Sequence, residues 1–409
     1  MRAMDTPLVL QHLATAARQL RVAVVTETYP PEVNGVAMTT GRVVEGMLRL
    51  GHQVQLVRPR QGDGDQPASA AGFEEVLSRG LPIPRYNHLK VGLPARSALQ
   101  RLWALRRPDV VQVVTEGPLG WSAVAAARKL RLPVVTEFHT NFHNYSGYYG
   151  MGWLKQPVEA WLRRFHNKGE VCLAPTAELA AQLMARGVHR VEVVARGVDT
   201  GLFSPARRSE TLRRSWSAQP DTLVVAVVGR MAPEKNLALA VRAFDALKGE
   251  AADARLLFVG DGPARAALQA AHPEFVYAGM RSGEDLAAHY ASADLFLFPS
   301  LTETFGNVTT EALASGLPVV AFDYAAAAER IREGYNGWLA PCGDEVAFAA
   351  AACRLAGDAA LRERLRANAR ASVADADWEA VTHRLLAVME EVVRTHEERG
   401  AGGRDVVTA

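Results

Sequence analysis

Residues 295–322 read LFLFPSLTETFGNVTTEALASGLPVVAF, and this stretch indicates the fold. Leu295–Pro299 and Pro318–Phe322 are short apolar runs, and Val308–Ser315 between them has the length and composition of a helix. Apolar strands joined by helices are typical of parallel sheets covered on both faces. The stretch therefore predicts a strand–turn–helix–strand unit of an open α/β sheet. Its turn follows the carboxyl end of a strand, where such sheets bind ligands.

The same alternation continues through the rest of the chain. Further strand-length runs are Arg21–Thr26, Gln53–Arg58, Val110–Val114, Val134–Glu137, Val171–Ala174, Leu223–Gly229 and Arg255–Gly260. Since 409 residues exceed one ordinary core, two doubly wound α/β domains facing across a cleft are predicted. Glycine and proline place the boundary near Arg196–Asp199.

Composition favours a protein of a reducing compartment. Three widely spaced cysteines, Cys172, Cys342 and Cys353, provide neither a disulfide framework nor a CxxC metal pair. Polar residues interrupt Met1–Leu20, so this segment is interpreted as an arm or short helix and not as a signal peptide. A cytoplasmic protein is therefore expected.

The net charge of +2 is unevenly distributed, because residues 1–199 carry a balance of +8 and the remainder −6. A basic half suggests an anionic partner, for which nucleic acid and an anionic membrane surface are candidates. Ordinary variation between two domains explains the asymmetry equally well.

The turn in the opening stretch has the features of an anion site. Thr304 or a neighbour is placed to cap the following helix, and Gly306 lets the backbone approach a ligand closely. The N–H groups of Phe305–Asn307 then lie at the positive end of the helix dipole. Phosphate binding is therefore predicted here.

Two carboxylates flank that turn. Glu303 and Glu311 are eight positions apart, roughly 12 Å along a helix. One can accept hydrogen bonds from hydroxyls near the cleft entrance and the other from hydroxyls deeper inside, which suits a diphosphate between two polyhydroxylated rings. The alternative is a pair of solvated helix residues.

A second turn brings two cations to a strand end. Val227–Asn236 reads VVGRMAPEKN, in which Gly229 ends the strand while Arg230 and Lys235 flank the turn. An arginine fork and a lysine point charge can hold one phosphate pair between them. The alternative is two surface charges.

Three further turns are predicted at the cleft. Asn34-Gly35 follows the first strand and opens a helix, but it is not GxGxxG, so nicotinamide chemistry is disfavoured. His139 ends another first-half strand and can contact a sugar hydroxyl, although a structural histidine is an equal alternative. Asp261 lies in the tight turn Gly260–Pro263.

Together these residues resemble glycosyltransferase family 4, whose fold is GT-B. The likeness extends from Arg21 to Arg394. It rests on the EX7E pair, the GR…EK pair, the Asn-Gly loop and the FH pair ending in His139, with VDTGLFSP at Val198–Pro205 and GYNGWL at Gly334–Leu339. Within the family, the sequence is most similar to bacterial GDP-mannose-dependent α-mannosyltransferases and glycolipid-forming relatives.

The resemblance implies two Rossmann-like domains, residues 1–198 on the acceptor side and 199–376 for the nucleotide sugar. A helix within 377–396, with Trp378–Arg394 as its candidate, would cross back to the first domain. It also implies a retaining, metal-independent enzyme without cofactor. Its partners would be a nucleotide-sugar donor and a lipid or glycan acceptor, and not nucleic acid.

Residue roles also follow from the resemblance. Arg230 and Lys235 would neutralise the leaving diphosphate. Glu303 and the turn Thr304–Asn307 would hold the donor sugar and phosphate, with Glu311 on the ribose. Contacts to the donor sugar would come from His139 and, through close backbone approach, from the loop containing Gly35.

Other functions remain open on the sequence. UDP-glucose or another UDP-sugar is the main alternative donor, because nothing in the candidate base pocket Tyr277–Arg281 separates guanine from uracil. An epimerase would need additional acid–base carboxylates, and a phosphorylase would need a cofactor lysine. A non-catalytic binding module would be expected to lose Glu303 or Lys235.

Tyr148–Gly169 interleaves aromatic and basic residues, as YYGMGWLKQPVEAWLRRFHNKG. Such a pattern is typical of a helix that rests on anionic lipid at the inner face of the cytoplasmic membrane. A core-packed helix with a solvated basic face is the alternative.

Overall fold

The computed structural model describes residues 18–32, 34–62, 64–83, 86–139 and 155–402. Most of the proposed N-terminal arm and the first part of Tyr148–Gly169 therefore lie outside the described residues. The rest folds around two large sheets, which we call the first lobe and the second lobe in chain order.

Within its described residues, the first lobe holds ten strands. They are β1 Arg21–Val25, β2 Gln53–Pro59, β3 Ser69–Ala70, β4 Phe73–Ser78, β5 Gly80–Ile83, β6 Tyr86–Gly92, β7 Val110–Val113, β8 Val134–Glu137, β9 Val171–Ala174 and β10 Val191–Val193. Its main sheet has the order β10-β9-β8-β7-β1-β2-β4-β3, parallel except for β3, while β5 and β6 form a separate hairpin. The helices that accompany these strands are α1 Gly35–Arg49, α2 Arg96–Leu105, α3 Pro118–Lys129, α4 Lys155–His166 and α5 Ala177–Ala185.

The second lobe has six parallel strands in the order β13-β12-β11-β14-β15-β16. They are β11 Val224–Val228, β12 Arg255–Val259, β13 Val276–Gly279, β14 Leu295–Phe298, β15 Val319–Phe322 and β16 Gly337–Ala340. The helices are α6 Glu210–Ser215, α7 Leu237–Leu247, α8 Arg265–Ala271, α9 Gly283–Ala291, α10 Asn307–Ala314, α11 Ala325–Arg330, α12 Glu345–Gly357 and α13 Ala359–Ala371. A last helix, α14 Trp378–Gly402, follows them.

Apolar residues cover both faces of the second sheet. Successive side chains of a strand point to opposite faces, and β11 divides accordingly: Val225 and Val227 join one core cluster, while Val224 and Val228 join the other. The predicted doubly wound α/β architecture is therefore confirmed.

Strand order explains why distant motifs meet. The chain moves outward from β11 through β12 to β13, then returns to lay β14 on the other side of β11, with Val225 opposite Leu295. The loops after β11 and β14 consequently diverge around a crevice, as expected at a topological switch point. In the first lobe, β1 lies between β2 and β7 in the same way.

The two interlobe segments run side by side. Val198 N–H donates to the carbonyl of Ala376 at 2.8 Å, and α14 packs on α1 of the first lobe through Leu385 and Met389. Gly197 is needed in this crossing, because a Cβ there would lie 2.7 Å from the indole of Trp378. The domain limits at 198 and 376 stay predictions.

Within the described ranges, no helix is both long enough and apolar enough to cross a membrane.

Candidate active site

A cavity of about 720 Å³ lies between the carboxyl edges of the two sheets. Residues from both lobes line it, including all those predicted for the site except Asp261. These are Asn34, Gly35, His139, Gly229, Arg230, Lys235, Glu303, Thr304, Phe305, Gly306, Asn307 and Glu311. The structure thus brings together motifs that lie up to 277 positions apart in the chain, between Asn34 and Glu311.

The start of α10 is open to this cavity. Gly306 is the N-cap residue at φ +95°, and no side chain caps the helix. Its first N–H groups therefore remain available to an anion. Nearby, the buried Oδ1 atom of Asn307 has no hydrogen-bond partner within the described structure.

The expectation that Thr304 or a neighbour caps α10 is wrong. The Thr304 hydroxyl instead donates to the backbone carbonyl of His139 in the first lobe, at 3.3 Å. The left-handed conformation at Gly306 turns the chain away before Thr304 can reach the helix N–H groups. Thr304 therefore joins the two walls of the cleft.

The two motifs of the second lobe meet in an ion pair. The ammonium of Lys235 forms a close salt bridge with Glu303, whose same oxygen accepts a hydrogen bond from the Ser300 hydroxyl at 2.8 Å. Arg230 is more exposed and lies 3.5 Å from Glu234. The exposed guanidinium of Arg230, which has one distant carboxylate partner, can reach a ligand phosphate. Lys235 would have to share its charge between such a phosphate and Glu303.

Glu311 lies deeper, without a cationic partner in the described residues. Burial raises the pKa of its carboxyl to about 7, and a hydrogen bond from Tyr290 opposes that shift. The Tyr290 hydroxyl donates to Glu311 at 2.9 Å. A carboxylate with one oxygen so held can accept a hydroxyl of a ligand with the other.

The start of α1 is already occupied. The Asn34 side chain accepts from the N–H groups of Val36 and Ala37 at 3.1 and 2.9 Å. Its amide nitrogen donates to the Thr28 hydroxyl at 2.6 Å. Asn34 therefore lines the cavity as a helix cap, with both ends of its side chain engaged.

His139 is held on both ring nitrogens. Its Nε2 lies 2.6 Å from Glu137 and its Nδ1 lies 3.2 Å from Arg196. Because a guanidinium only donates, Nδ1 must accept, and the ring proton on Nε2 points to Glu137. The imidazole is thus fixed in orientation, and Gln112 holds the second oxygen of Glu137.

The prediction that Asp261 lies at the cleft is wrong. Asp261 is absent from the lining of the cavity, because its carboxylate binds the N–H of Gly262 at 2.7 Å and Arg265 at 2.9 Å. A Cβ at Gly260 would lie 2.0 Å from the carbonyl of Gly229. The turn therefore packs beneath the Arg230 loop and supports it.

The proposed base pocket is only partly placed at the cavity. Arg281 lines it, together with Ser282, Gly283 and Leu286. Tyr277 does not, since its hydroxyl donates to the carbonyls of Leu268 and His272 and its ring stacks on Phe258.

Sequence reasoning missed two residues of this site. Arg196 lies in the segment recognised only as a domain boundary, and Tyr290 lies in a helix with no motif. Both are almost fully buried. The only available signal was an arginine next to a glycine at the predicted domain boundary. The sequence does not show whether such an arginine is buried or lies on the surface.

Two doubly wound lobes that face each other across a crevice have the GT-B architecture. Comparison with known families agrees: the family model "Glycosyltransferase Family 4" matches residues 33–202, and "Glycosyl transferases group 1" matches 222–358. The chain belongs to glycosyltransferase family 4 and is a glycosyltransferase.

Curated relatives span nearly the whole chain. A GDP-mannose-dependent alpha-mannosyltransferase of Mycobacterium tuberculosis is 37% identical over 91% of this chain and 97% of its own length. One of Mycolicibacterium smegmatis is 36% identical over 93% of this chain and 100% of its own length. Sulfoquinovosyl transferase of Arabidopsis thaliana is 30% identical over 89% and 72%.

Solved structures support the fold. Sucrose-phosphate synthase from Thermosynechococcus elongatus superposes with a TM-score of 0.74 at 18% identity, covering 92% of this chain and 100% of that one. Anabaena HepE in complex with UDP gives 0.71 at 17% identity, covering 91% and 100%. The GT-B fold predicted from the sequence is confirmed.

Proposed function

We propose that this glycosyltransferase moves mannose from GDP-mannose to a hydroxyl of a lipid or glycan acceptor, with retention of configuration and without a metal. The observation that carries the proposal is the open N-terminus of α10 beside Lys235 and Arg230 in one interlobe cavity. Such an arrangement would stabilise the negative charge that develops on a leaving diphosphate.

In this mechanism the second lobe stabilises the leaving group. Glu303, which already accepts from Ser300, would also accept from hydroxyls of the donor sugar. Lys235 would move its charge from Glu303 toward the diphosphate as the sugar–phosphate bond breaks. The acceptor hydroxyl would attack from the same face and give its proton to the departing phosphate.

Metal independence rests on the same cations. Arg230, Lys235 and the α10 N–H groups would provide the charge that a divalent cation supplies in other transferases. We expect activity to persist in excess EDTA.

GDP-mannose is preferred as donor because three curated relatives at 33–37% identity carry that specificity in their names. A UDP-sugar is the alternative. The base end of the cavity, with Arg281, Ser282 and Gly283, offers polar groups that suit either ring.

A donor screen tests the proposal. The purified chain is incubated with GDP-mannose, UDP-glucose, UDP-galactose and UDP-GlcNAc, each with a lipid and a soluble acceptor, and released nucleoside diphosphate is measured. Turnover of GDP-mannose at least tenfold above the UDP-sugars is expected. Preference for a UDP-sugar would replace the donor, and failure to bind or turn over any of them would overturn the proposal.

A lipid acceptor makes α4 of interest. Its buried side carries Leu162 and Phe165, which pack into the first lobe, so this side is a core contact. Trp161 is 43% exposed although it packs beside Trp121. We propose that Trp161 and the adjacent basic residues contact anionic lipid at the inner face of the cytoplasmic membrane.

Vesicle sedimentation tests that contact. The protein is expected to sediment with anionic vesicles in low salt and to remain free with neutral ones, because the contact depends on charge. Trp161→Ala should weaken the binding. Trp216→Ala, which removes a buried tryptophan of the second lobe, is the comparison and should bind the vesicles like wild type when it is folded. Equal behaviour with both vesicle types would remove the membrane contact.

A further inference from the structure

Arg196 is a buried cation whose charge is not paired in the described structure. Only 8% of the residue is exposed, and it lines the interlobe cavity. One guanidinium nitrogen donates to His139 at 3.2 Å, and the buried Nε has no hydrogen-bond partner within the described residues. Two of its three nitrogens therefore make no hydrogen bond to the described protein.

The other cations of the cavity differ in this respect. Arg42 lies 3.3 Å from Asp199, and Arg281 lies 3.0 Å from Asp285. The second-lobe pair Arg230 and Lys235 has Glu234 and Glu303 as described above. Among the cavity cations within the described ranges, Arg196 alone lacks a carboxylate within 4.0 Å.

Burying a charge without a counterion is costly, and buried charges in proteins are therefore paired. An oxyanion of a bound substrate would supply the partner that Arg196 lacks. Burial lowers the pKa of Arg196 to about 10, and the charges of Glu137 and Glu303 oppose that shift. The guanidinium therefore stays charged near neutral pH. A charged, nearly enclosed arginine fork facing a cavity is suited to an oxyanion.

The neighbouring backbone leaves room for that anion. A Cβ at Gly35 would lie 3.2 Å from Nη1 of Arg196, so only glycine leaves this side of the guanidinium uncrowded. The N–H groups of Val36 and Ala37 are already bound by Asn34. The anion-binding group of the first lobe is consequently the Arg196 side chain and not the α1 terminus.

We propose that Arg196 binds an oxyanion of a substrate from the first-lobe side of the cavity, while it orients the imidazole of His139. The oxyanion is either the β-phosphate of the donor or a carboxylate or phosphate on the acceptor. This inference deepens the proposed function. Only the first alternative, the β-phosphate of the donor, rests on that function.

Equilibrium binding to the intact chain distinguishes the two sources. Calorimetry with GDP and GMP is performed on wild type, Arg196→Gln and Arg196→Lys, with the exposed Lys129→Gln as control. Donor binding predicts at least tenfold weaker GDP affinity in Arg196→Gln, unchanged GMP affinity, and intermediate values in Arg196→Lys. Acceptor binding predicts unchanged GDP affinity, but loss of a wild-type preference for octyl glucuronide over octyl glucoside, which differ by one carboxylate.

Thermal unfolding without ligand separates this role from a structural one. Since Arg196→Gln removes an unpaired buried charge, its midpoint should equal or exceed that of wild type, whereas a purely structural arginine would lower it. A lowered midpoint, or unchanged GDP affinity together with an unchanged preference between the two amphiphiles, overturns the proposal. If wild type binds no GDP, the proposed donor fails, while the amphiphile comparison still decides the role of Arg196.

Discussion

The helices α1 and α10, one from each lobe, both begin at the interlobe cavity, yet their N-termini differ. In α1, Asn34 caps the helix and occupies the N–H groups that a ligand would need. In α10, Gly306 carries no side chain, so the N–H groups stay open to the cavity. A helix that follows a strand thus begins with a side-chain cap in one lobe and with open N–H groups in the other.

Charge follows the same division. We call the second-lobe side of the cavity the second wall and the first-lobe side the first wall. The second wall carries Lys235 and Arg230 close to carboxylates, so a ligand must draw these cations away from their existing partners. The first wall carries Arg196, which has no such partner in the described residues. We infer that most of the leaving-group stabilisation comes from the second wall, while the first wall contributes the oxyanion contact of Arg196 and the orientation of His139.

The largest effect is expected from removing the more buried of the two second-wall cations, Lys235. Lys235→Ala should lower kcat/KM by about 10²–10³-fold, the range for removing one preorganised group from an anionic transition state. Initial rates with GDP-mannose measure this. Lys248→Ala is a matched control, because that lysine lies outside the cavity lining; equal losses in both variants would contradict the assignment.

A smaller effect is expected at the open helix terminus. Gly306 has φ +95°, and an alanine there costs roughly 1–2 kcal/mol through its left-handed conformation. Gly306→Ala should therefore tilt the α10 N–H groups and weaken GDP binding about tenfold, as read by calorimetry. Gly334→Ala is the control, because Gly334 also has positive φ, at +73°, but does not line the cavity.

Next in size is a pH dependence at Glu311. The pKa of this carboxyl is raised to about 7 by burial. At a pH one unit below that pKa, about nine-tenths of the molecules therefore have Glu311 protonated. If the ionised form accepts the ribose hydroxyls, GDP affinity should fall as pH drops from 8 to 6. Tyr290→Phe, which removes a hydrogen bond to the ionised form, should move the fall to higher pH. A Glu311→Gln variant with the wild-type pH profile would exclude this carboxyl.

The same shift affects stability with the opposite sign. Because the folded pKa of Glu311 lies above its ordinary value of 4.5, its contribution to the free energy of unfolding is fully present below pH 4.5. That contribution is lost as pH rises through about 7. Low pH thus favours the fold at this residue but disfavours the ligand.

The smallest effect on activity is expected at the closed helix terminus. Asn34→Ala removes the cap of α1 and should lower the free energy of unfolding by about 0.5–2 kcal/mol. Denaturant titration measures this, and GDP affinity should change less than threefold. A larger loss of affinity than in Gly306→Ala would reverse the comparison between the two termini.

The fold was predictable because its strands are apolar on both faces. Runs such as Leu295–Pro299 are visible without knowledge of their neighbours, and parallel order follows from the helices between them. Most site residues were predictable for a related reason, since Lys235 and Glu303 lie in loops after strands that the topology places side by side.

The features that escaped prediction depend on the direction in which side chains point in the folded chain. Asp261 follows a strand as Glu303 does, but its carboxylate turns to Arg265 and away from the cavity. Arg196 and Tyr290 lack a local motif, and their importance comes from burial beside distant side chains. Thr304 was predicted to cap α10, but Gly306 takes the N-cap position at φ +95°. The sequence alone does not give that backbone angle.

The location of bound GDP tests the account most directly. A crystal structure of the chain with GDP should place the β-phosphate within hydrogen-bond distance of the first N–H groups of α10, with Lys235 or Arg230 in contact. A diphosphate bound at the α1 terminus, or outside the interlobe cavity, would contradict the assignment of the second wall as the leaving-group site.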